Sequence, residues 1–168
     1  MELKEAKEQF IHAWGTLGSN WGINKTMAQV HALLLVSPDP LSAEEIMAEL
    51  NISRGNANMN LRDLIEWGIV NKIHKSGERK EFFSAEKDIW EVAKQIAKER
   101  KKRELEPVMK VLNQLQNVEG DVNEKDHKAF TETISNIQKF ANNADSTIDK
   151  LIKADENWFL SSFMKLIR

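Results

Sequence analysis

The sequence predicts a mainly α-helical protein with one two-stranded β hairpin in its middle third. Three observations lead there. Only three prolines and seven glycines punctuate 168 residues, so turns are sparse and helices should dominate. Apolar residues recur at spacings of three and four through most of the chain, the period of a helix with one buried face. The exception lies at residues 69–84, where Ile, Val and Phe cluster in two short runs around Ser76-Gly77-Glu78-Arg79, the pattern of two strands and a tip.

Taken in order, residues 2–17 read as a first helix, with Leu3, Ala6, Phe10, Ala13, Trp14 and Leu17 in one stripe. Gly15, Gly18, Ser19, Asn20 and Gly22 are expected to break it. A second helix runs from about Lys25 to Val36 and stops at Ser37-Pro38-Asp39-Pro40. Ser42 stands three residues before Glu45, the spacing of a capping box, and opens a short helix with Ile46, Met47 and Leu50 inward. Asn51-Ile52 makes a tight turn. Ser53 then caps a helix over 54–67, whose Ala57, Leu61, Leu64 and Ile65 share a face, and Gly68 suits the position just past its end. The strands follow, at 69–75 and 80–84.

From Glu86 a charged helix runs into Lys98-Glu99-Arg100-Lys101-Lys102-Arg103, a run expected to be a solvated face. Pro107 kinks or restarts it, and Val108, Leu112 and Leu115 resume the spacing. A loop is expected around Gly120. Phe130, Ile134, Ile137, Ala141, Ala144, Ile148 and Leu151 then alternate steps of four and three, an a/d seam about three heptads long. Asp155 interrupts it, and Trp158, Phe159, Phe163 and Leu166 extend an apolar face.

The composition is 41% hydrophobic and 30% charged, with net charge −2 and no cysteine. That excludes disulfides, thiol nucleophiles and cysteine-ligated zinc. Met1 to Phe10 lacks the apolar core of a signal peptide, and the longest apolar run, Val30 to Val36, is far too short to cross a bilayer. A cytoplasmic protein with no membrane partner is the expectation. His12, His31, His74 and His127 show no metal-ligand spacing, and there is no P-loop, dinucleotide fingerprint or nucleophile elbow. We therefore expect no enzyme, no catalytic residue, no cofactor and no metal. His31, inside an apolar run, reads as a core-edge histidine with its ring nitrogen hydrogen-bonded.

The overall charge hides a local one. Residues 53–80 hold Arg54, Arg62, Lys72, Lys75, Arg79 and Lys80 against Asp63, Glu66 and Glu78, a basic centre suited to a polyanion. Helix, tight turn, helix and a hairpin with a basic tip describe a winged helix-turn-helix domain with a two-stranded β wing. Placing Leu61 inward turns Gly55, Asn56, Met59, Arg62 and Asp63 outward, with Asn60 on the flank and Arg54 and Asn58 nearer the core. In a major groove, Asn suits adenine edges and Met a thymine methyl. Gly55 allows close approach, and Ser53 with the helix N-terminus suits a phosphate. Several exposed asparagines lower helix propensity, which a plain surface would avoid.

The run Ser53-Arg54-Gly55-Asn56-Ala57-Asn58-Met59-Asn60-Leu61-Arg62-Asp63-Leu64 and Trp67-Gly68-Ile69-Val70 resembles the recognition helix and following strand of MarR-like regulators. More narrowly it resembles their GbsR-type branch, as do Gly77-Glu78-Arg79-Lys80-Glu81-Phe82-Phe83 and Asp88-Ile89-Trp90. Ala28 to Leu35 and Pro38-Asp39-Pro40-Leu41 are similar to that branch's preceding helix. The resemblance covers residues 14–92. It implies a homodimer on a pseudo-palindromic operator in double-stranded DNA, joined through long N- and C-terminal dimerisation helices, with a small-molecule effector. Carried onto this chain, it puts Ser53, Arg54, Asn56, Met59 and Asn60 in the major groove, and Arg79 and Lys80 on backbone or minor groove. Gly55, Arg62 and Lys75 complete the candidate DNA-binding set.

The implied organisation is an N-terminal dimerisation helix at 1–22, the DNA-binding domain at 23–85, and a connector and dimerisation region at 86–168. The resembling family includes a choline-responsive member, and a quaternary ammonium would need an aromatic cage. Phe10, Trp14, Trp21 and Trp90 are the candidates, whereas Trp67 reads as packing under the wing. The function expected is a transcriptional regulator, with repression the expected outcome. The alternative is a winged-helix protein-interaction module without direct DNA readout, which Asp63, Glu66 and Glu78 near the proposed face would suit.

Overall fold

The structure is a computed structural model that describes residues 1–116, 118 and 124–154. These fall into two compact units, one ending at Val92 and the other beginning at Ala93. The first holds α1 (Leu3–Asn20), α2 (Lys25–Val36), β1 (Leu41–Ser42), α3 (Ala43–Leu50), α4 (Arg54–Glu66), β2 (Val70–His74), β3 (Glu81–Ala85) and the start of α5 (Ile89–Arg100). The second continues α5 through a π-helical turn (Lys101–Leu105) into α6 (Glu106–Gln114), followed by α7 (Glu124–Lys153).

Local chemistry sets most boundaries. The Asn24 side chain accepts from the amides of Thr26 and Met27 and so starts α2. Ser42 and Glu45 form a complete capping box, which starts α3. Its bonds to the Ser42 hydroxyl and amide hold the Glu45 carboxyl below the usual carboxylate range. Asn51 ends α3 in the left-handed region, and Ser53 accepts from the Asn56 amide to open α4. Gly68, at φ 73°, closes α4: its amide donates to Ile65 O and that of Ile69 to Leu64 O, a Schellman closure that needs a residue able to sit left-handed.

β2 and β3 pair antiparallel from Val70↔Ala85 to His74↔Glu81. Sequence reading misses β1, whose Leu41 and Ser42 pair with Phe83 and Phe82 to make a sheet of order β1-β3-β2. The wing is thus the edge of a three-stranded sheet. The core of this unit is Val30 and Leu34 of α2, Ile46 of α3, Leu61 and Leu64 of α4 and Val70 of β2. Each such side chain contributes about 1.5–3 kcal/mol by leaving water. Trp67 is buried.

One expectation about α1 is corrected. Gly15 and Gly18 do not break it, because the helix continues to Asn20. Both are buried against α2: a Cβ on Gly18 would lie 2.6 Å from Ala28 Cβ, and one on Gly15 would lie 2.6 Å from Gln29 Cγ. The glycines let two backbones approach. α1 is therefore packed against α2 at these two positions.

In the second unit the chain stays helical ahead of Pro107 by widening. The Glu106 amide bonds Lys101 O, a five-residue reach that makes room for a proline ring and its missing donor. The basic run is no plain solvated face. Lys101 Nζ lies 2.9 Å from Asp145 Oδ1 and 2.5 Å from Asp149 Oδ1 on α7, largely covered, and Lys101 and Asp149 stabilise each other's charged form. Arg103 bonds Glu99, and Arg100 bonds Glu104. α7 runs unbroken for 30 residues and carries the predicted seam. Glu119 to Asp121 of the predicted loop and Asp155, Trp158, Phe159, Phe163 and Leu166 lie outside the described residues.

Candidate nucleic-acid interface

The candidate interface is built by α4 and the hairpin between β2 and β3. α4 buries Ala57, Asn60, Leu61 and Leu64, an i, i+3, i+4, i+7 stripe. The opposite face is therefore centred on Gly55, Met59, Arg62 and Glu66, all exposed, with Asn58 exposed beside them. Met59 keeps 50% of its surface in solvent. A Cβ on Gly55 would meet no atom within 4 Å. Glycine in a first helical turn costs stability relative to alanine, and nothing in the packing around it requires it there.

The ten predicted interface residues divide as follows. Ser53 caps α4. Arg54 is exposed, with its guanidinium 3.7 Å from Glu44 of α3. Gly55, Met59 and Arg62 face solvent, and Asn56 is half-buried. Asn60 departs from the expectation. It is 1% exposed, and its Nδ2 donates to Asn56 O at 2.8 Å and to Asn56 Oδ1 at 2.6 Å. Its side chain sits in the core stripe and reaches no outside surface. Asn58 makes the opposite change, from the expected core side to solvent. Asp63 is half-buried on the flank and not fully outward.

At the wing, Lys75 is half-buried, its ammonium 3.9 Å from the centre of the Phe82 ring. Gly77, at φ 83°, allows the turn in which the Glu78 amide bonds Lys75 O. Arg79 and Lys80 beyond it are exposed. Lys72, absent from the predicted set, bonds Glu81 diagonally across the strands at 2.8 Å, and that contact holds the Glu81 carboxyl low. Between α4 and the sheet lies a groove of about 380 Å³ lined by Asn58, Arg62 and Ile65 on one side and Lys72, Glu81 and Phe83 on the other. Asn58 could have been found by centring the α4 stripe on residues 57, 60, 61 and 64 irrespective of polarity.

Of the candidate cage residues, Phe10 and Trp14 meet in a tilted contact with ring centres 5.5 Å apart. Trp14 also contacts the His31 ring at 6.2 Å. Trp21 is 55% exposed at the end of α1, and Trp90 is half-buried in the first turn of α5. His31 itself is corrected: it is 2% exposed, and its Nε2 has no hydrogen-bond partner among the described residues. Burial, with the Lys87 charge second, lowers its pKa to about 4. Among the described residues no group of three His, Asp or Glu could hold a metal ion, and no helix is long and apolar enough to cross a membrane.

Residues 28–72, from α2 into β2, match the family model described as bacterial regulatory protein, arsR family. No curated protein matches the chain. Among solved structures, one described as a transcriptional regulator superposes with a TM-score of 0.66 at 15% identity, over 88% of this chain and 95% of that one. A point mutant of Lactococcus lactis ZitR aligns at 17% identity over 83% of this chain and 97% of that one, with a TM-score of 0.37. The chain has a winged helix-turn-helix fold, and its segment from Ala28 to Lys72 is similar in sequence to arsR-family bacterial regulatory proteins.

Proposed function

We propose that this protein is a sequence-specific DNA-binding transcriptional regulator that works as a homodimer on a pseudo-palindromic operator and represses from the cytoplasm. The observation that carries the proposal is the outward face of α4. Gly55 has no packing reason to be glycine and Met59 is half exposed, beside Arg62 and ahead of a wing tip bearing Arg79 and Lys80. A helix needing only solubility would place Ala, Glu or Lys there. The arsR-family match to this segment supports the same reading, as does the description of the similar structure as a transcriptional regulator. Affinity would come from phosphates neutralised by Arg54, Arg62, Lys75, Arg79 and Lys80, and specificity from α4. The resemblance of residues 53–83 to the GbsR-type branch of MarR-like regulators supports that branch within this proposal.

The dimer rests on apolar residues that α6 and α7 leave exposed: Val108, Val111, Phe130, Ile137 and Phe140, the last 75% exposed. Phe130 and Ile137 belong to the a/d seam, and with Val108, Val111 and Phe140 they suit a second copy. A small-molecule effector, held by Phe10, Trp14, Trp21 and Trp90, would shift the population of the DNA-competent state.

The test is selection from a randomised duplex library with the purified protein at two salt concentrations, alongside its mass by sedimentation. The reading expects one enriched sequence with two half-sites about one helical turn apart, and a dimer mass. A library that stays random at both salts moves the function to the protein-interaction module.

A further inference from the structure

Asn60 is buried, polar and on the wrong side of α4 to touch anything outside the chain. Its Nδ2 spans the backbone oxygen and the side-chain oxygen of Asn56, at 2.8 and 2.6 Å. Its own Oδ1 has no partner among the described residues. A buried amide oxygen without a donor costs stability, and leucine has nearly the same shape without that cost. Packing alone does not explain asparagine at this position.

The two bonds also fix which way both amides point. Oxygen and nitrogen of an asparagine amide are assigned from their partners. Asn56 O is a backbone carbonyl and can only accept, so the Asn60 branch against it must be nitrogen. That same nitrogen then requires the Asn56 branch facing it to be oxygen. Because the amide is planar, Asn56 with its oxygen drawn toward Asn60 carries its NH2 on the other branch, away from the core stripe.

We propose that Asn60 is a positioning residue that sets the base preference of Asn56, presenting it to the major groove chiefly as a donor. This rests on the reading of α4 as the DNA-reading helix. An asparagine recognises adenine by two bonds at once, its oxygen accepting from N6 and its nitrogen donating to N7. With its oxygen turned to Asn60, Asn56 offers the groove its NH2 first, and the two-bond pair would need the oxygen's second lone pair to face the base while the first still serves Asn60. Its outward NH2 meets a second donor at adenine N6 and at cytosine N4. It meets acceptors at guanine O6 and N7 and at thymine O4. The half-site position read by Asn56 is therefore an acceptor edge, guanine before thymine, and adenine is disfavoured.

The experiment is duplex-library selection with the full chain as wild type, Asn56→Ala and Asn60→Leu, with a thermal melt of each. Asn56→Ala identifies the position it reads as the one that loses its preference. The proposal expects guanine or thymine there in the wild type. It expects Asn60→Leu, which frees the Asn56 oxygen, to shift that one position toward adenine by roughly tenfold while the other positions hold. A purely structural Asn60 would lower affinity for every sequence alike and leave the preference as it was, and that result overturns the proposal. Adenine or cytosine at the wild-type position also overturns it, while leaving DNA reading by α4 intact. If the wild type enriches a sequence but Asn56→Ala relaxes no position, Asn56 reads no base and the proposal fails with DNA binding still standing. If nothing is enriched at all, the DNA-binding reading and this proposal fall together. Should Asn60→Leu not fold, the wild-type base at the Asn56-dependent position decides.

Discussion

Lys87 Nζ stands 2.6 Å from Leu34 O, and it donates as well to Leu35 O at 2.8 Å and Ser37 O at 2.9 Å. One ammonium beyond the wing thus closes the carbonyl end of α2, the helix at the centre of the first unit. α2 has no basic residue in its own last turn, so Lys87 supplies the charge that a helix C-terminus favours. Desolvation holds its pKa below the ordinary lysine range.

Lys87→Met keeps the length of the side chain and removes the three donations. Unfolding in urea should show it less stable by about 1–2 kcal/mol, since hydrogen bonds from a charged group are the stronger kind and this one is partly exposed. An unchanged midpoint would mean that water replaces the lysine at no cost.

The buried His31 makes stability fall in mild acid. Its folded pKa of about 4 lies below the ordinary histidine value of 6.5, so between those limits the unfolded chain binds the proton and the folded chain does not. The stabilising contribution is complete above pH 6.5 and is lost as pH falls toward 4, by about 3 kcal/mol at most. His31→Leu should flatten that part of the curve. Because the Lys87 charge is the second cause of the lowering, Lys87→Met should raise the His31 pKa and narrow the window from its acid end. Urea titrations from about pH 4 to about pH 7, followed by tryptophan fluorescence, check both effects.

Gly18→Ala separates a helix breaker from a packing residue. On helix propensity alone alanine should stabilise α1 by up to about 1 kcal/mol. Packing predicts the reverse, because the new methyl would lie 2.6 Å from Ala28 Cβ. Overpacking of that kind costs about 1–3 kcal/mol, so a net loss is expected, and Ala28→Gly in the same chain should recover part of it. A stabilised single variant would show that α1 does not sit against α2 as described.

What can be read from sequence divides along physical lines. Ser42 with Glu45, Ser53 and Gly68 announce themselves because capping is a contest among neighbours three or four residues apart. β1 is invisible because two residues have no periodicity, and Leu41 is a strand only through Phe83, far along the chain. Lys87 is hidden in the same way, some fifty residues from the helix it caps. Gly15 and Gly18 mislead because a glycine that ends a helix and one that admits a neighbour look alike until the neighbour is present. At the candidate interface, Gly55, Met59 and Arg62 are legible from helical rotation. Asn60 is not, since its polarity argues for the surface while its stripe position argues for the core.

The wing tip should act through phosphates, and salt dependence isolates that. Arg79 and Lys80 are exposed beyond the Gly77 turn, whereas Lys75 is held over the Phe82 ring at 3.9 Å. Each phosphate neutralised contributes about 0.9 to the slope of log affinity against log salt. Arg79→Ala with Lys80→Ala should therefore flatten the slope by about 1.8 and weaken all sequences alike, since phosphates carry no base information. Lys75→Ala should change the slope less, and should also lower the melting temperature, because a cation over a ring is worth about 0.5–1 kcal/mol at an exposed site. Anisotropy titrations over a salt series measure the slopes of the wild type and of both variants. If the double variant keeps the wild-type slope, the tip does not lie on the DNA backbone, and Arg54 and Arg62 of α4 together with Lys75 must account for the whole electrostatic contribution.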